Sequence, residues 1–166
     1  MDVSVQQNYK DFYNRIKIFI IACMNRLLTN VSLLPYNTFG VDVRASHFFH
    51  LKNHGDLIDL LELPYFREIS GNLSRILVLG QGSNILFTDN FEGIVIKNEI
   101  SGIRIIEDDE SYVALEAGAG VIWNDLVDYA VSRNWWGIEN LALIPGTAGA
   151  APVQNIGAYG SEASEA

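Results

Sequence analysis

The feature that most constrains this 166-residue sequence is an apolar strand that runs directly into a glycine turn. Residues 76–79 form a continuous apolar run, which is typical of a strand buried on both faces. Gly80 and Gly82 follow, but a Rossmann dinucleotide site would need a third glycine and then a helix. Ile85 stands at the third position and begins another strand-like run, and no Gly-Lys-Ser/Thr is present. The sequence therefore favours neither a Rossmann fold nor a P-loop.

The glycine turn is the first candidate binding segment. Glycine lets a backbone approach a ligand closely and adopt positive φ, and successive backbone N–H groups can then surround a phosphate. The Ser83 hydroxyl and the Asn84 amide add further hydrogen-bonding groups. A tight turn between two strands explains the same residues, so the turn alone leaves both interpretations open.

The second candidate is residues 144–160, an uncharged stretch with four glycines and two prolines. An exposed linker would normally be more polar. A glycine-rich, apolar backbone with a few amides suits a flat, largely apolar ligand, although a buried connection between two layers has the same composition. Gly118 and Gly120 form a third candidate for close approach, and a strand-to-helix turn explains them equally well.

The remaining pattern predicts helices interspersed among short strands, which is an α+β order. Apolar side chains recur at helical spacing from Tyr9 to Leu28, and Asp56 is a plausible N-cap for a helix that Pro64 ends. A later helix follows Gly120, with Trp123, Leu126, Val127, Ala130 and Val131 on its apolar face and Asp125 and Asp128 toward solvent. Strands are predicted at residues 48–51, 76–79, 85–87, 94–97, 103–107 and 112–117.

Charge and composition exclude several classes of function. The net charge of −9 argues against nucleic-acid binding, which needs clustered positive charge. The single cysteine, Cys23, excludes an internal disulfide framework and suggests a reduced, cytoplasmic setting. His47, His50 and His54 lack carboxylates or cysteines at ligand spacing, so no metal site is expected. The apolar run 18–24 is far shorter than the roughly 20 residues of a membrane span.

Five segments of the sequence together form a recognisable pattern: residues 37–40, 79–87, 118–120, 139–147 and 154–160. In order and spacing these segments resemble the bacterial UDP-N-acetylenolpyruvoylglucosamine reductases (UDP-N-acetylmuramate dehydrogenase, MurB). The resemblance covers residue 35 to about residue 162, so residues 1–34 are interpreted as an N-terminal helical extension and residues 35–166 as an FAD-binding domain.

The resemblance implies a flavoenzyme of peptidoglycan synthesis. It implies an α+β fold of the vanillyl-alcohol oxidase (PCMH) type, with two small lobes around FAD, NADPH as the reductant, and UDP-N-acetylglucosamine enolpyruvate as the substrate. Some members of the wider group attach FAD to a histidine, but residues 80–84 and 144–160 contain none. Non-covalent FAD is therefore expected.

The resemblance also implies roles for individual residues. Tyr159 would face the substrate. The serine, arginine and glutamate that act in the family lie beyond the last matching segment, so no catalytic residue is assigned and the isolated chain is expected to be inactive. The alternative is a truncated, non-catalytic flavin-binding module. The implied FAD-binding residues are Gly80, Gln81, Gly82, Ser83, Asn84, Pro145, Gly146, Gly149, Ala150, Ala151, Ile156 and Gly157.

Overall fold

A four-stranded mixed sheet forms the first lobe of the molecule. The computed structural model describes residues 26–165. The strands are β1 (Leu27–Ser32), β2 (Arg44–Leu51), β3 (Ile76–Leu79) and β4 (Phe91–Asn98), in the order β1-β2-β4-β3. Strand β1 is antiparallel to β2, whereas β2 and β3 are both parallel to β4. The carboxyl ends of β2, β3 and β4 therefore meet at one edge of the sheet.

The two faces of this sheet carry two separate cores. Helices α1 (His54–Glu62) and α2 (Pro64–Ile69) cover one face, where Ile94 and Ile96 of β4 are buried. The intervening Val95 points to the other face and packs with Phe48, Leu33 and Phe87. Because β4 is central and covered on both sides, it is continuously apolar through these positions, as expected of a parallel strand.

The second lobe is built around one helix. Strands β5 (Ile103–Asp108) and β6 (Val113–Ala117) form a hairpin, and α3 (Trp123–Val131) buries Trp123, Leu126 and Val127 beneath it. The Trp123 indole N–H donates to the Leu141 carbonyl at 2.9 Å, which ties the helix to the segment that follows. The chain then forms α4 (Ala151–Gln154), β7 (Gly157–Ala158) and β8 (Ser161–Glu162). Single 3-10 turns occupy Leu34–Tyr36, Leu73–Arg75, Glu139–Leu141 and Ala163–Glu165.

This architecture confirms the predicted α+β order and most of the predicted strands. The apolar face of α3 is as predicted, and Asp125 and Asp128 on its other side are exposed. None of the helices formed by residues 26–165 has the length and hydropathy that a membrane crossing requires.

The predicted helix from Tyr9 to Leu28 lies mostly outside the described residues, as do Cys23 and the apolar run 18–24. At its predicted end the helix is wrong, because Leu27 and Leu28 belong to β1. They pair with Phe49 and Phe48 of β2 across the sheet. This partner is distant in sequence, and its pairing overrides the local helical spacing.

The start of α1 is also corrected by the structure. Asn53, not Asp56, is the N-cap, and its side chain accepts a hydrogen bond from the Asp56 backbone N–H. Asp56 is the third helical residue, and its carboxylate accepts from the backbone N–H groups of Lys52 and Asn53. The two residues form a capping box. Pro64 occupies the first position of α2, where its missing N–H costs nothing.

Two expectations of burial or strand structure are wrong. Strand β3 lies at the edge of the sheet, so Val78 is 62% exposed and the strand is not buried on both faces. Residues 85–87 have an irregular backbone and form no strand. In both cases the local apolar run is present, but it does not determine which segments pack against it.

The buried imidazole of His47 should make the stability of the protein depend on pH. Its buried Nδ1 atom has no hydrogen-bond partner among the described residues, and its ring stacks on Tyr65 with centroids 3.8 Å apart. Burial lowers the pKa of His47, and the positive charge of Arg75 lowers it further. The pKa of a histidine in an unfolded chain is about 6.5. The unfolded state therefore binds more protons below that pH, and the free energy of unfolding should fall as the pH drops below about 6.5 toward the folded pKa.

We expect His47→Gln to flatten this acid-side slope, measured as the melting temperature between about pH 7 and pH 5. His54→Gln is the matched control, because His54 is exposed. A slope that is unchanged in His47→Gln, or flattened equally in the control, would contradict the assignment.

Candidate functional site

A cleft of about 350 Å³ opens where the two lobes meet. One wall is the turn that follows β3, residues 80–85, and the other is the segment 146–154. Residues 77–79 of β3, Asn98 at the carboxyl end of β4, and Ala119 complete the lining. The first two candidate segments of the sequence are therefore brought face to face. The turn lies at the carboxyl ends of parallel strands, which is where open α/β sheets commonly bind ligands.

Two hydrogen bonds join the walls of the cleft. The Gln81 Oε1 atom accepts from the Gly146 backbone N–H at 2.7 Å. The Asn84 side-chain amide donates to Gln154 Oε1 at 3.3 Å. Gln81 therefore links the two glycine-rich segments. Its side-chain oxygen already accepts a hydrogen bond from the protein backbone.

The glycines of the turn are required by protein contacts. Gly82 has φ +70°, and a Cβ atom there would lie 2.0 Å from the Tyr36 carbonyl oxygen. A Cβ atom on Gly80 would lie 2.8 Å from Thr147 Oγ1. The turn is therefore packed tightly against both lobes, and its glycines are explained without any ligand.

Glycines elsewhere in the cleft region serve a similar purpose. A Cβ atom on Gly149 would lie 2.5 Å from Ala119 Cβ, and the Gly149 N–H donates to the Ala119 carbonyl at 3.0 Å. Gly118 and Gly120 pack against the backbone of residues 98–101. Their close approach is to protein, as the turn interpretation predicted. Gly146, with φ +143°, is the more open position, since its nearest neighbour would be Ser83 Oγ at 4.0 Å.

The structure places the predicted site residues in two groups. Pro145 and Gly157 do not line the cleft, and Ala151 and Ile156 contribute to the core of the second lobe. Tyr159 is 94% exposed with φ +55°, at the tip of the β7–β8 hairpin. The predicted residues that line the cleft are Gly80, Gln81, Gly82, Ser83, Asn84, Gly146, Gly149 and Ala150.

Sequence reasoning missed part of the lining. Thr147 is a polar residue buried to 3% exposure, and Val153 is apolar but 84% exposed. The sequence provides only a weak indication of Thr147, which is a hydroxyl-bearing residue within a largely apolar segment. It provides none of Val153, since an apolar residue in such a segment is most simply assigned to the core. Asn98 gave no signal either, because it depends on where β4 ends.

The chemistry of the lining fits an anionic ligand with an apolar body. Glycine backbone, the Ser83 hydroxyl and the Asn84 amide form one wall, whereas Ala150 and Val153 lie on the other. None of the residues that line the cleft is acidic, although the chain carries a net charge of −9. An anion in the cleft would therefore meet hydrogen-bonding groups without a carboxylate in direct contact. FAD, with its diphosphate and flat ring system, fits this donor set.

Comparison with known proteins identifies the class. The FAD binding domain family matches residues 45–166, and this chain belongs to that family. The predicted FAD cofactor is confirmed at this level. The chain is also similar to curated UDP-N-acetylenolpyruvoylglucosamine reductases, which confirms the resemblance inferred from the sequence motifs.

Three of these relatives indicate the extent of the similarity. The Chromobacterium violaceum reductase is 48% identical over 133 residues, which is 80% of this chain and 38% of that protein. The Bacteroides fragilis (strain YCH46) reductase is 45% identical over 132 residues, covering 79% and 38% respectively. The Neisseria gonorrhoeae reductase is 45% identical over 142 residues, covering 86% and 40%. The chain thus spans well under half the length of the curated relatives it matches.

A solved structure supports the fold. The crystal structure of UDP-N-acetylenolpyruvylglucosamine reductase (MurB) from Thermus caldophilus superimposes with a TM-score of 0.61 at 24% identity. The match covers 85% of this chain and 46% of that one. The expected two-lobed α+β fold of an FAD-binding domain is therefore confirmed.

Proposed function

We propose that this chain is the FAD-binding part of an NADPH-dependent reductase. The reductase would convert UDP-N-acetylglucosamine enolpyruvate to UDP-N-acetylmuramate in peptidoglycan synthesis, in the cytoplasm. The observation that carries the proposal is the cleft in which residues 80–85 face residues 146–154. The 48% identity to a curated reductase supports the choice of this reaction over other flavin chemistry.

The backbone of the glycine turn would hold the FAD diphosphate. Gly80 and Gly82 contribute only backbone to this wall of the cleft, and the hydroxyl of Ser83 and the amide of Asn84 lie in the same wall. Gly146, Gly149 and Ala150 would line the flavin side of the cleft. We propose that the remaining predicted residues act by shape, because they lie outside the lining: Pro145, Ala151, Ile156 and Gly157.

When bound, FAD would supply the hydride transfer, with NADPH as the reductant. The chain's own residues would orient the cofactor and exclude water from it. No histidine is among the residues that line the cleft, so we propose that FAD is held without a covalent bond. Tyr159 projects from its hairpin into solvent and would face the UDP-sugar supplied to the complete enzyme.

A truncated flavin-binding module without catalysis is the alternative. We propose residues 35–166 as the FAD-binding domain and residues 1–34 as an extension, although β1 joins Leu27–Ser32 to the sheet of that domain.

The experiment is to express the complete reading frame that contains this chain and to measure NADPH oxidation. We expect oxidation that depends on UDP-N-acetylglucosamine enolpyruvate, and none from the 166-residue polypeptide, which serves as the control. A complete product that retains FAD but shows no substrate-dependent oxidation would favour the module and contradict the reductase.

A further inference from the structure

Two carbonyl oxygens of the glycine turn are held by donors from outside the turn. The Lys97 ammonium donates to the Gly80 carbonyl at 2.6 Å. The Thr38 backbone N–H donates to the Gly82 carbonyl at 3.1 Å, and its hydroxyl lies 3.5 Å from the same oxygen. Lys97 stands on β4 directly beside Leu79, the last residue before the turn. Alternate peptide groups of the turn are therefore anchored to the first lobe.

The anchored carbonyl groups also determine where the next backbone N–H groups of the turn point. In a trans peptide the C=O group and the next N–H group point in opposite directions, and the described residues contain no cis peptide. With the Gly80 carbonyl directed at Lys97, the Gln81 N–H points away from Lys97. With the Gly82 carbonyl directed at Thr38, the Ser83 N–H points away from Thr38.

We propose that Lys97 is a positioning residue for anion binding in the cleft. It fixes the peptide group between Gly80 and Gln81 so that the Gln81 N–H is presented to a diphosphate, and Thr38 does the same for the Ser83 N–H. This assignment rests on the proposed FAD site and extends it to a side chain that does not line the cleft. Two N–H groups presented by one turn would act as a preformed anion nest.

The setting of Lys97 supports a dedicated role. Val95, two residues earlier on the same face of β4, is fully buried in an apolar core. Lys97 places an ammonium at the end of that face. Burial lowers the pKa of Lys97 below its usual range, and the negative charge of Glu99 offsets only part of this shift. Glu99 lies 2.9 Å from the His50 imidazole, and His50 is the neighbour of Lys97 on β2. A charged donor is costly here, and the Gly80 carbonyl is the hydrogen-bond partner that offsets the cost.

The test compares the wild-type chain with Lys97→Met, Lys97→Arg and Lys52→Met. Lys52 is exposed and supplies a matched loss of charge. Two probes are titrated, inorganic pyrophosphate and FAD, while backbone amide resonances and the melting temperature are recorded. We expect Lys97→Met to weaken both affinities by about tenfold or more and to abolish the pyrophosphate-induced shift of the Gln81 amide. Lys97→Arg should restore part of both, and Lys52→Met should match the wild type.

Several outcomes would overturn the proposal. One is an unchanged affinity for both probes in Lys97→Met, and another is a loss that Lys52→Met reproduces. A wild-type Gln81 amide that responds to neither probe would also overturn it. A wild-type protein that binds pyrophosphate through Gln81 but does not bind FAD would contradict the proposed cofactor site, while loss of that response in Lys97→Met would still support the positioning role.

Discussion

Replacing Gly82 with alanine is expected to lower the free energy of unfolding by about 3 kcal/mol and to displace the glycine turn. The new Cβ atom would lie 2.0 Å from the Tyr36 carbonyl oxygen and 3.1 Å from Asn37 Cα. Both are backbone atoms and cannot rotate away. The φ of +70° adds the strain of a left-handed conformation. Because the turn also lines the cleft, FAD affinity should be lost with it.

Gly40→Ala is the matched control for this substitution. Gly40 has φ +66°, but nothing lies within 4 Å of its would-be Cβ atom. We expect a loss of only about 1 kcal/mol, from backbone strain alone. Urea unfolding of both variants measures the difference, and equal losses would show that the contact with Tyr36 is not tight in solution.

Val153→Glu is expected to weaken FAD binding by at least about tenfold without unfolding the protein. Val153 is 84% exposed and lies in the wall of the cleft, so the fold can accept a longer polar side chain there. The new carboxylate would lie in a cleft whose described lining residues include no aspartate or glutamate. It would repel the diphosphate and disfavour the apolar body of the cofactor.

Leu73→Glu controls for the added charge. Leu73 is also apolar and 79% exposed, but it does not line the cleft. Fluorescence titration should show wild-type affinity for Leu73→Glu and weakened affinity for Val153→Glu, with similar melting temperatures. Equal FAD affinities in the two variants would place the cofactor elsewhere.

Local patterns in the sequence predict the elements that carry a strong apolar pattern of their own, whichever segments they pack against. Helix α3 follows from the spacing of Trp123, Leu126 and Val127, and the strand β4 from its apolar run at Ile94 to Ile96. Their burial depends on periodicity, which the sequence carries directly. The glycine-rich segments were likewise recognised as candidate sites, since their composition is unusual over several residues.

Features that depend on distant partners could not be read in this way. Leu27 and Leu28 become a strand because Phe49 and Phe48 offer a free edge. Val78 is exposed because β3 takes the outer place in the sheet, and strand order is not written locally. The close approach of Gly82 to the Tyr36 backbone is a further case, because it joins two segments that are far apart in the chain.

The most direct measurement is a titration of FAD into the purified 166-residue chain, following flavin fluorescence and visible absorbance. NAD and ATP serve as controls, because they share the diphosphate and adenosine chemistry but lack the flavin. We expect saturable binding that is selective for FAD and fully released on denaturation. A folded chain that ignores FAD, or that binds all three ligands equally, would contradict the cleft as a flavin site.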